Sequence, residues 1–242
     1  MAAFEVAFLD EAGAKHRLPL SSGWNIAFER MAPARTFPSF KGQVNFPGLW
    51  WSATTNDHVG YESWLERDVV MMMDFDPGIV GFASQPFWLS WIKDGRLRRH
   101  APDYFARTSE GDGLVVDVRP DDRIDARSAR AFAVMERACA AVGWRFHRTG
   151  GPPAVAAANV RWLAGYRHPR CFRADVAEAL TAVFAESGPL LAGAKRVGDR
   201  LSVLPVLFHL LWSGQLSADL SSAPLSLASI VSVSGRQLVG AR

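Results

Sequence analysis

The segment from Tyr61 to His147 changes its apolar periodicity three times, and this restricts the fold more than any other feature. Over residues 61–75 apolar side chains recur three or four positions apart, which predicts a helix that Asp76-Pro77-Gly78 ends. A second helical pattern covers residues 126–142. Short strand patterns cover residues 79–82, 87–92, 102–106, 114–118 and 144–147. This order predicts an α/β fold with a mixed sheet flanked by helices.

The regions before this segment have a different character. Residues 4–18 alternate weakly, as expected for a strand or a hairpin. Residues 32–56 are rich in Pro, Gly and aromatic side chains, and we interpret them as an ordered arm that packs on the fold. The aromatic side chains are Phe37, Phe40, Phe46, Trp50 and Trp51. We therefore assign residues 1–60 to an N-terminal strand and aromatic-rich arm, and residues 61–150 to a compact core.

A run of Gly and Pro at residues 149–153 predicts a boundary before a third region, residues 151–242. Helical patterns follow at 159–165, 175–185 and 201–212, and Ser213-Gly214 predicts a turn. Two short strands are expected after this turn, at residues 215–220 and 224–233. Helix, turn and two short strands are typical of a small winged-helix domain.

The composition is that of an ordinary globular protein with a mild basic excess. The net charge is +3 and the pI is about 9.1, which is compatible with a polyanionic partner. Cys139 and Cys171 are too few to form a zinc site by themselves. The N-terminus has no signal-peptide pattern, and the apolar run at residues 204–212 is too short to span a bilayer. We expect a cytoplasmic protein without a membrane partner.

Acidic residues and one arginine are spaced so that they can meet at one edge of the predicted sheet. Glu66 lies on the first helix, and Asp103 enters a strand after Pro102. Strand alternation places Asp117 and Arg119 on one face of the following strand. Hard divalent cations such as Mg²⁺ prefer oxygen ligands. The spacing therefore predicts a metal site formed by Asp103, Asp117 and Glu66, beside Arg119.

These residue types suit phosphodiester hydrolysis, which adds negative charge to a group that is already anionic. A metal ion lowers the pKa of a bound water and polarises the phosphate, and Arg119 stabilises the developing charge. The spacing alone leaves a second interpretation open, because solvated hairpins also carry such charges. Residues near this site are expected to contact DNA phosphates, or otherwise to form a solvated strand edge. They are Arg96, Arg98, Arg99 and His100.

Several separated motifs support a more specific interpretation. They are Tyr61–Arg67, Asp74–Pro77, Ser84–Phe87, His100–Phe105 and Val115–Pro120, followed by Leu204–Trp212, Asp219-Leu220 and Pro224–Ser226. In this order they resemble the TnsA-like endonuclease subunits of heteromeric transposases, a family of the PD-(D/E)xK nuclease superfamily. The first five motifs resemble the nuclease domain of that family, and the others resemble its winged-helix end.

The resemblance implies a restriction-endonuclease-like fold and cleavage of double-stranded DNA at the 5′ ends of a transposon, with Mg²⁺ or Mn²⁺ as the cofactor. It also implies a DDE transposase and an AAA+ ATPase regulator as partners, and association with the nucleoid through DNA. The active-site acid of the family falls on Glu66, with Glu62 as the other candidate one helical turn earlier. The metal-binding Asp falls on Asp103, and the last motif falls on Asp117 and Arg119.

The last motif departs from the family. TnsA proper has Gln-x-Lys where this chain has Asp117-Val118-Arg119. Asp117 restores the acid of the wider superfamily, but Arg119 stays protonated and acts only as a cation or a hydrogen-bond donor. An active endonuclease subunit is the first interpretation. The alternatives are a catalytically weak or inactive DNA-binding scaffold and a stand-alone nuclease of defence or repair.

Overall fold

The computed structural model describes residues 4–35 and 46–235, and the chain divides into two compact units after Gly151. The α/β character predicted from the sequence is confirmed. In its described part, unit 1 (residues 1–151) contains β1 (Glu5–Leu9), β2 (Lys15–Pro19), α1 (Leu20–Gly23), β3 (Gly48–Ser52), β4 (Asp57–Tyr61), α2 (Trp64–Phe75), β5 (Ile79–Ser84), β6 (Phe87–Lys93), β7 (Arg96–His100), β8 (Tyr104–Thr108), β9 (Gly113–Val118), α3 (Ala126–Ala141) and β10 (Arg145–Thr149).

A mixed sheet in the order β10-β9-β8-β5 forms the centre of unit 1. Strands β9 and β10 are parallel, and the other neighbours are antiparallel. The crossover from β9 to β10 runs through α3, as expected for parallel neighbours. The sequence predicted this order of helix, strands, helix and strand, and the strand bounds differ from the prediction by a few residues.

The two faces of this sheet belong to two apolar clusters because side chains alternate along each strand. Phe105 and Val115 point to the first cluster, which α3 completes together with β1 and β6. Tyr104 and Val116 point to the second cluster, which α2 covers. Helices therefore lie on both faces of the central sheet, with α3 on one face and α2 on the other.

A second, antiparallel sheet has the order β2-β1-β6-β7. The expected N-terminal hairpin forms from β1 and β2. The predicted turn at Asp94-Gly95 joins β6 and β7 with φ values of 51° and 68°. Both residues have positive φ, as in the tight turns that match the twist of a hairpin.

The segment predicted as an arm differs from the expectation. Trp50 and Trp51 lie on β3, which pairs with β4 in a separate hairpin. Phe37 and Phe40 lie outside the described residues. The hairpin is fixed by the buried side chain of Asp74 at the end of α2, whose carboxylate accepts four hydrogen bonds from this region. The donors are Trp50 Nε1, Ser52 Oγ, Ala53 N and Thr54 N, at 2.8–3.2 Å.

In its described part, unit 2 (residues 152–242) contains α4 (Ala154–Leu163), α5 (Ala174–Phe184), β11 (Gly188–Pro189), α6 (Leu190–Val197), α7 (Arg200–Trp212), β12 (Leu216–Ala218) and β13 (Ile230–Val233). The sequence interpretation missed α6 and began α4 five residues too late. The small sheet has the order β11-β13-β12. Asn159, which is buried, fixes the loop before β13 by donating to Leu220 O and Ala223 O and accepting from Leu225 N. Across residues 4–35 and 46–235, none of the helices has the length and apolar character that crossing a bilayer requires.

We expect Asp74→Asn to lower the free energy of unfolding by about 3 kcal/mol. The amide is isosteric, but each carboxylate oxygen of Asp74 accepts two hydrogen bonds in the native protein. The NH₂ group of Asn would therefore face two donors and could accept from neither. Chemical denaturation measures the effect. Asp76→Asn is the control, because Asp76 is exposed and its carboxylate accepts one hydrogen bond, from Gly78 N, which the amide oxygen of Asn can also accept. Equal stability of the two variants would contradict the assigned role of Asp74.

Candidate active site

A cleft with a volume of about 730 Å³ lies where α2 and β8 begin and β9 ends. Its lining contains the acids Glu62, Glu66, Asp103 and Asp117, and the arginines Arg35, Arg99, Arg119, Arg123 and Arg127. Every residue predicted to be catalytic therefore lines the same cleft. Asp117 is buried and the other three acids are partly buried, whereas Arg119, Arg123 and Arg127 are exposed. The cleft thus combines a carboxylate floor with a cationic rim.

The register of β8 and β9 brings Asp103 and Asp117 together. Tyr104 pairs with Val116, so Asp103 and Asp117 are the next residues outward on the two strands. The Asp103 backbone N–H lies 3.3 Å from Asp117 Oδ1, and Val118 N donates to Asp103 Oδ2 at 2.6 Å. The sheet therefore ends in two adjacent carboxylates, each bonded to the backbone at the other strand.

Asp117 is the most deeply buried acid of the cleft, with 1% of its surface exposed. His100 Nε2 lies 2.9 Å from its Oδ2 atom and 3.0 Å from its Oδ1 atom. The ring nitrogen donates to both oxygens when the carboxylate is ionised. His100, at the end of β7, therefore occupies the coordination side of Asp117.

Glu66 caps the N-terminus of α2. The Ser63 hydroxyl accepts from Glu66 N at 3.2 Å and donates to Glu66 Oε1 at 3.0 Å, while Glu62 N donates to Oε2 at 2.7 Å. This is a variant of the capping box. The expectation that Glu62 lies on the same helix is wrong, because Ser63 is the N-cap and the helix begins at Trp64. Glu62 lies in the turn that follows β4.

Glu62 nevertheless reaches the cleft. Its Oε2 atom accepts from Arg35 Nη2 at 2.7 Å, and only 14% of its side-chain surface is exposed. Its Oε1 atom is buried and, within residues 4–35 and 46–235, has no hydrogen-bond partner. An unpartnered buried acceptor costs free energy. A cation or a donor from a ligand would satisfy this oxygen, so the structure keeps both Glu62 and Glu66 as candidate acids.

Burial and mutual repulsion shift the acidity of the cleft. Burial, followed by the negative charges of Asp117 and Glu66, raises the pKa of the Asp103 carboxyl well above its usual range. Burial also raises the pKa of Glu66, although its hydrogen bonds from Glu62 N and Ser63 act in the opposite direction. The pKa of the fully buried Tyr104 phenol is raised by burial and then by the charge of Glu66. These shifts indicate a site with more negative charge than the protein alone neutralises.

Only some of the cationic residues that the sequence predicted for the site line the cleft. Arg119 lies just beyond β9, and its charge is among the causes that lower the pKa of Asp125, after that carboxylate's hydrogen bonds to Ser128. Arg99 and His100 line the cleft, but Arg96 and Arg98 are not among its lining residues. The β7 strand therefore presents only its last residues to the carboxylates.

Several lining residues were not predicted from the sequence. Arg35 comes from the segment interpreted as an arm, and Arg127 comes from α3. Gln85 links the backbone at Asp103 to the segment before Arg35. Its backbone N–H donates to Asp103 O, and its backbone O accepts from Ala34 N. It does so with φ of 48°, a rare conformation for a side chain other than glycine. The Ser63-x-x-Glu66 spacing was a readable signal for the helix cap.

The donor set fits a hard cation in chemical type. Carboxylate oxygens dominate the floor, and Glu62 Oε1 lacks a donor among the described residues. Burial, followed by repulsion from Asp117, raises the pKa of Asp103. With the side chains as described, no three of the His, Cys, Asp and Glu residues in residues 4–35 and 46–235 converge closely enough to hold a metal. Asp117 faces His100, and Glu66 faces its own helix. For Asp117 to bind a metal, His100 would therefore have to release at least one of its carboxylate oxygens.

Comparison with known proteins adds no family to this geometry. None of the models of known protein families matches the chain, and a search of curated proteins found no match. The site is therefore interpreted from its own residues.

We expect Asp103→Asn to stabilise the metal-free protein. The ionised carboxylate is unfavourable at pH 8 because its pKa is raised in the folded state. This penalty shrinks as the pH falls through the raised pKa and vanishes below the ordinary value of 3.8. Thermal denaturation in EDTA at pH 8 should show a rise in Tm of about 3 °C, equivalent to about 1 kcal/mol.

The exposed Asp112→Asn serves as the control for this measurement and should leave Tm unchanged. The gain of Asp103→Asn should shrink on acidification. A variant that is less stable than the native protein at pH 8 would show that the Asp103 carboxylate stabilises the fold.

Proposed function

We propose that this protein is a divalent-metal-dependent DNA endonuclease of the TnsA-like type, as the sequence motifs suggest. One observation carries the proposal: acids from the turn before α2, from α2 itself, from the start of β8 and from the end of β9 line one cleft with a rim of arginines. Carboxylates that are buried close together raise the free energy of the folded protein unless a bound ligand neutralises them.

Asp103 and Asp117 would hold the metal, with Glu66 or Glu62 as the third acid. A bound Mg²⁺ or Mn²⁺ would polarise the phosphate and lower the pKa of a water ligand. The unpartnered Oε1 atom favours Glu62 as a direct ligand. Both oxygens of Glu66 accept hydrogen bonds at the start of the helix, and this favours a positioning role for Glu66.

Arg119 and the other arginines of the rim would bind the non-bridging oxygens of the scissile phosphate. A guanidinium remains charged at every accessible pH, so Arg119 supplies electrostatic stabilisation of the pentavalent transition state and takes no proton. Removal of the proton from the attacking water would then fall to solvent or to a carboxylate of the cleft. His100 would keep a hydrogen bond to one oxygen of Asp117 and release the other oxygen to the metal.

The finer features of the fold belong to the same proposal. The central mixed sheet with a helix on each face supports a restriction-endonuclease-like core. In unit 2, the order α5, β11, α6, α7, β12, β13 with the sheet order β11-β13-β12 supports a winged-helix domain. Transposon ends as the substrate, a DDE transposase and an AAA+ ATPase as partners, and a cytoplasmic, nucleoid-associated location are proposed from the sequence resemblance.

The first test is nicking of supercoiled plasmid or transposon-end DNA with Mg²⁺ or Mn²⁺, with the partner transposase present. We expect Asp103→Asn and Asp117→Asn each to reduce cleavage by at least about 100-fold, because each removes a charged ligand. Asp112→Asn, which alters an exposed acid outside the cleft, is the matched control and should cleave normally. Metal-dependent cleavage that survives both cleft substitutions would exclude this site.

The second test examines Arg119. Arg119→Lys keeps the positive charge and should retain activity within about tenfold, whereas Arg119→Gln should lose about 100-fold or more. The pH dependence of the cleavage rate should be the same in the native protein and in Arg119→Lys. A lysine variant that is much faster, with a new basic limb in its pH profile, would show that a general base at this position limits the native protein.

Two observations favour a second candidate, a non-catalytic DNA-binding scaffold. Asp117 is occupied by His100, and Arg119 replaces the lysine of the family. Titration calorimetry with Mn²⁺ separates the two functions. Binding that Asp103→Asn abolishes supports the nuclease, whereas DNA binding without any metal binding supports the scaffold.

A further inference from the structure

A second cleft, with a volume of about 940 Å³, lies between α3 and the β6–β7 hairpin of unit 1. Its lining is strongly cationic, and among the described residues Asp94 is the one acid that lines it. The cationic side chains are Lys93, Arg98, Arg99, Arg127, Arg130 and Arg137. We call this surface the α3 groove.

One wall of the α3 groove is a regular stripe on α3. Arg127, Arg130, Val134 and Arg137 are spaced by three, four and three residues, so they lie on one face of the helix. Ten residues of helix span about 15 Å. The three arginines are exposed, whereas Val134 is buried and anchors the helix to the core. The cations therefore form a straight row along the groove.

Four arginines of the groove lack a neutralising carboxylate in the part of the chain that the structure describes. Within the described ranges, Arg98, Arg127, Arg130 and Arg137 make no ion pair with a carboxylate. Other arginines of unit 1 do, as in the pair between Arg107 and Glu29 at 3.1 Å. Like charges along one groove repel each other, and an anionic ligand would relieve that repulsion.

The groove is continuous with the carboxylate cleft. Arg99 and Arg127 line both. The Arg99 guanidinium is stacked on the Trp88 ring, 4.3 Å from its centroid, and this contact restricts its orientation at the junction. A chain of phosphates that leaves the carboxylate cleft at Arg127 would meet Arg130 and then Arg137.

We propose that the α3 groove binds the phosphate backbone of duplex DNA on one side of the scissile bond. The inference rests on the proposed nuclease function, and it adds the path of the DNA and the residues that hold it. A row of exposed, unpaired arginines suits a regular polyanion, and its junction with the carboxylates favours DNA over an acidic peptide. The peptide remains an outcome of the test, because Trp91 and Val134 also line the groove.

The test measures binding of the full-length protein to a fluorescent 30-base-pair duplex in EDTA, so that no metal chemistry contributes. The groove variant is Arg130→Glu/Arg137→Glu. We expect its Kd at 0.1 M KCl to rise by about 50-fold or more, and the slope of log K against log salt to become shallower by about 1.8, because two phosphate contacts are lost.

The matched control is Lys15→Glu/Arg30→Glu, which changes the net charge equally at two exposed positions outside both clefts. It should change Kd less than about threefold. Equal weakening by the two double variants would reduce the effect to net charge and overturn the proposal. DNA binding by the groove variant at native affinity would also overturn it. If a fluorescent poly-Glu peptide then bound the native protein and not the groove variant, the groove would be a peptide site instead.

Experiments can refute the proposed DNA contact of the α3 groove and the proposed nuclease function independently of each other. A native protein that binds DNA through the groove but never cleaves it with Mg²⁺ or Mn²⁺ would refute the nuclease function and leave the groove standing. Conversely, a groove variant that binds and cleaves at native levels, while Asp103→Asn abolishes cleavage, would refute the groove alone.

Discussion

The end of the β8–β9 strand pair is the constraint on which the site depends. Once Tyr104 is paired with Val116, the next residues on the two strands must lie side by side, and both are aspartates. The hydrogen bond from Val118 N to Asp103 Oδ2 and the contact of Asp103 N with Asp117 Oδ1 fix this arrangement. Two carboxylates that repel each other are thus held together by the backbone of a buried sheet, which cannot relax to separate them.

Glu66, a candidate for the third acid of the site, also stabilises the start of α2. A helix start needs acceptors for its free N–H groups, and Glu66 serves this need with Ser63. Glu62 remains with one oxygen bonded to Arg35 and the other buried without a partner among the described residues. This division of roles between two neighbouring acids follows from the position of the N-cap. It also explains why a spacing argument placed both on one helix when only Glu66 is helical.

Charge is segregated around the cleft in a manner suited to a phosphodiester. Buried acids form the floor, and exposed arginines form the rim and continue along α3. Buried carboxylates offer sites for a hard cation, whereas exposed guanidinium groups bind an anion without a large loss of hydration. A small net charge of +3 conceals this separation, because opposite charges occupy different surfaces.

The sequence by itself determined the α/β order of unit 1, since apolar periodicity reflects local backbone geometry. The helices Trp64–Phe75 and Ala126–Ala141 and the turn at Asp94-Gly95 agree with their patterns. The sequence also singled out the acids that line the cleft. It did not reveal α6 or the β3–β4 hairpin, because both patterns are short. The hairpin also depends on a partner that is distant in sequence, the carboxylate of Asp74.

Only the tertiary structure added Arg35, Arg123 and Arg127 to the cations, Arg99 and Arg119, that the sequence had placed near the acids. Arg35 and Arg127 are far from Asp103 in sequence, and periodicity carries no information about contacts between elements so far apart. The register of two strands and the packing of α3 across the sheet created both the cleft and the α3 groove. Local sequence patterns determine the elements, whereas their mutual packing determines where their charges meet.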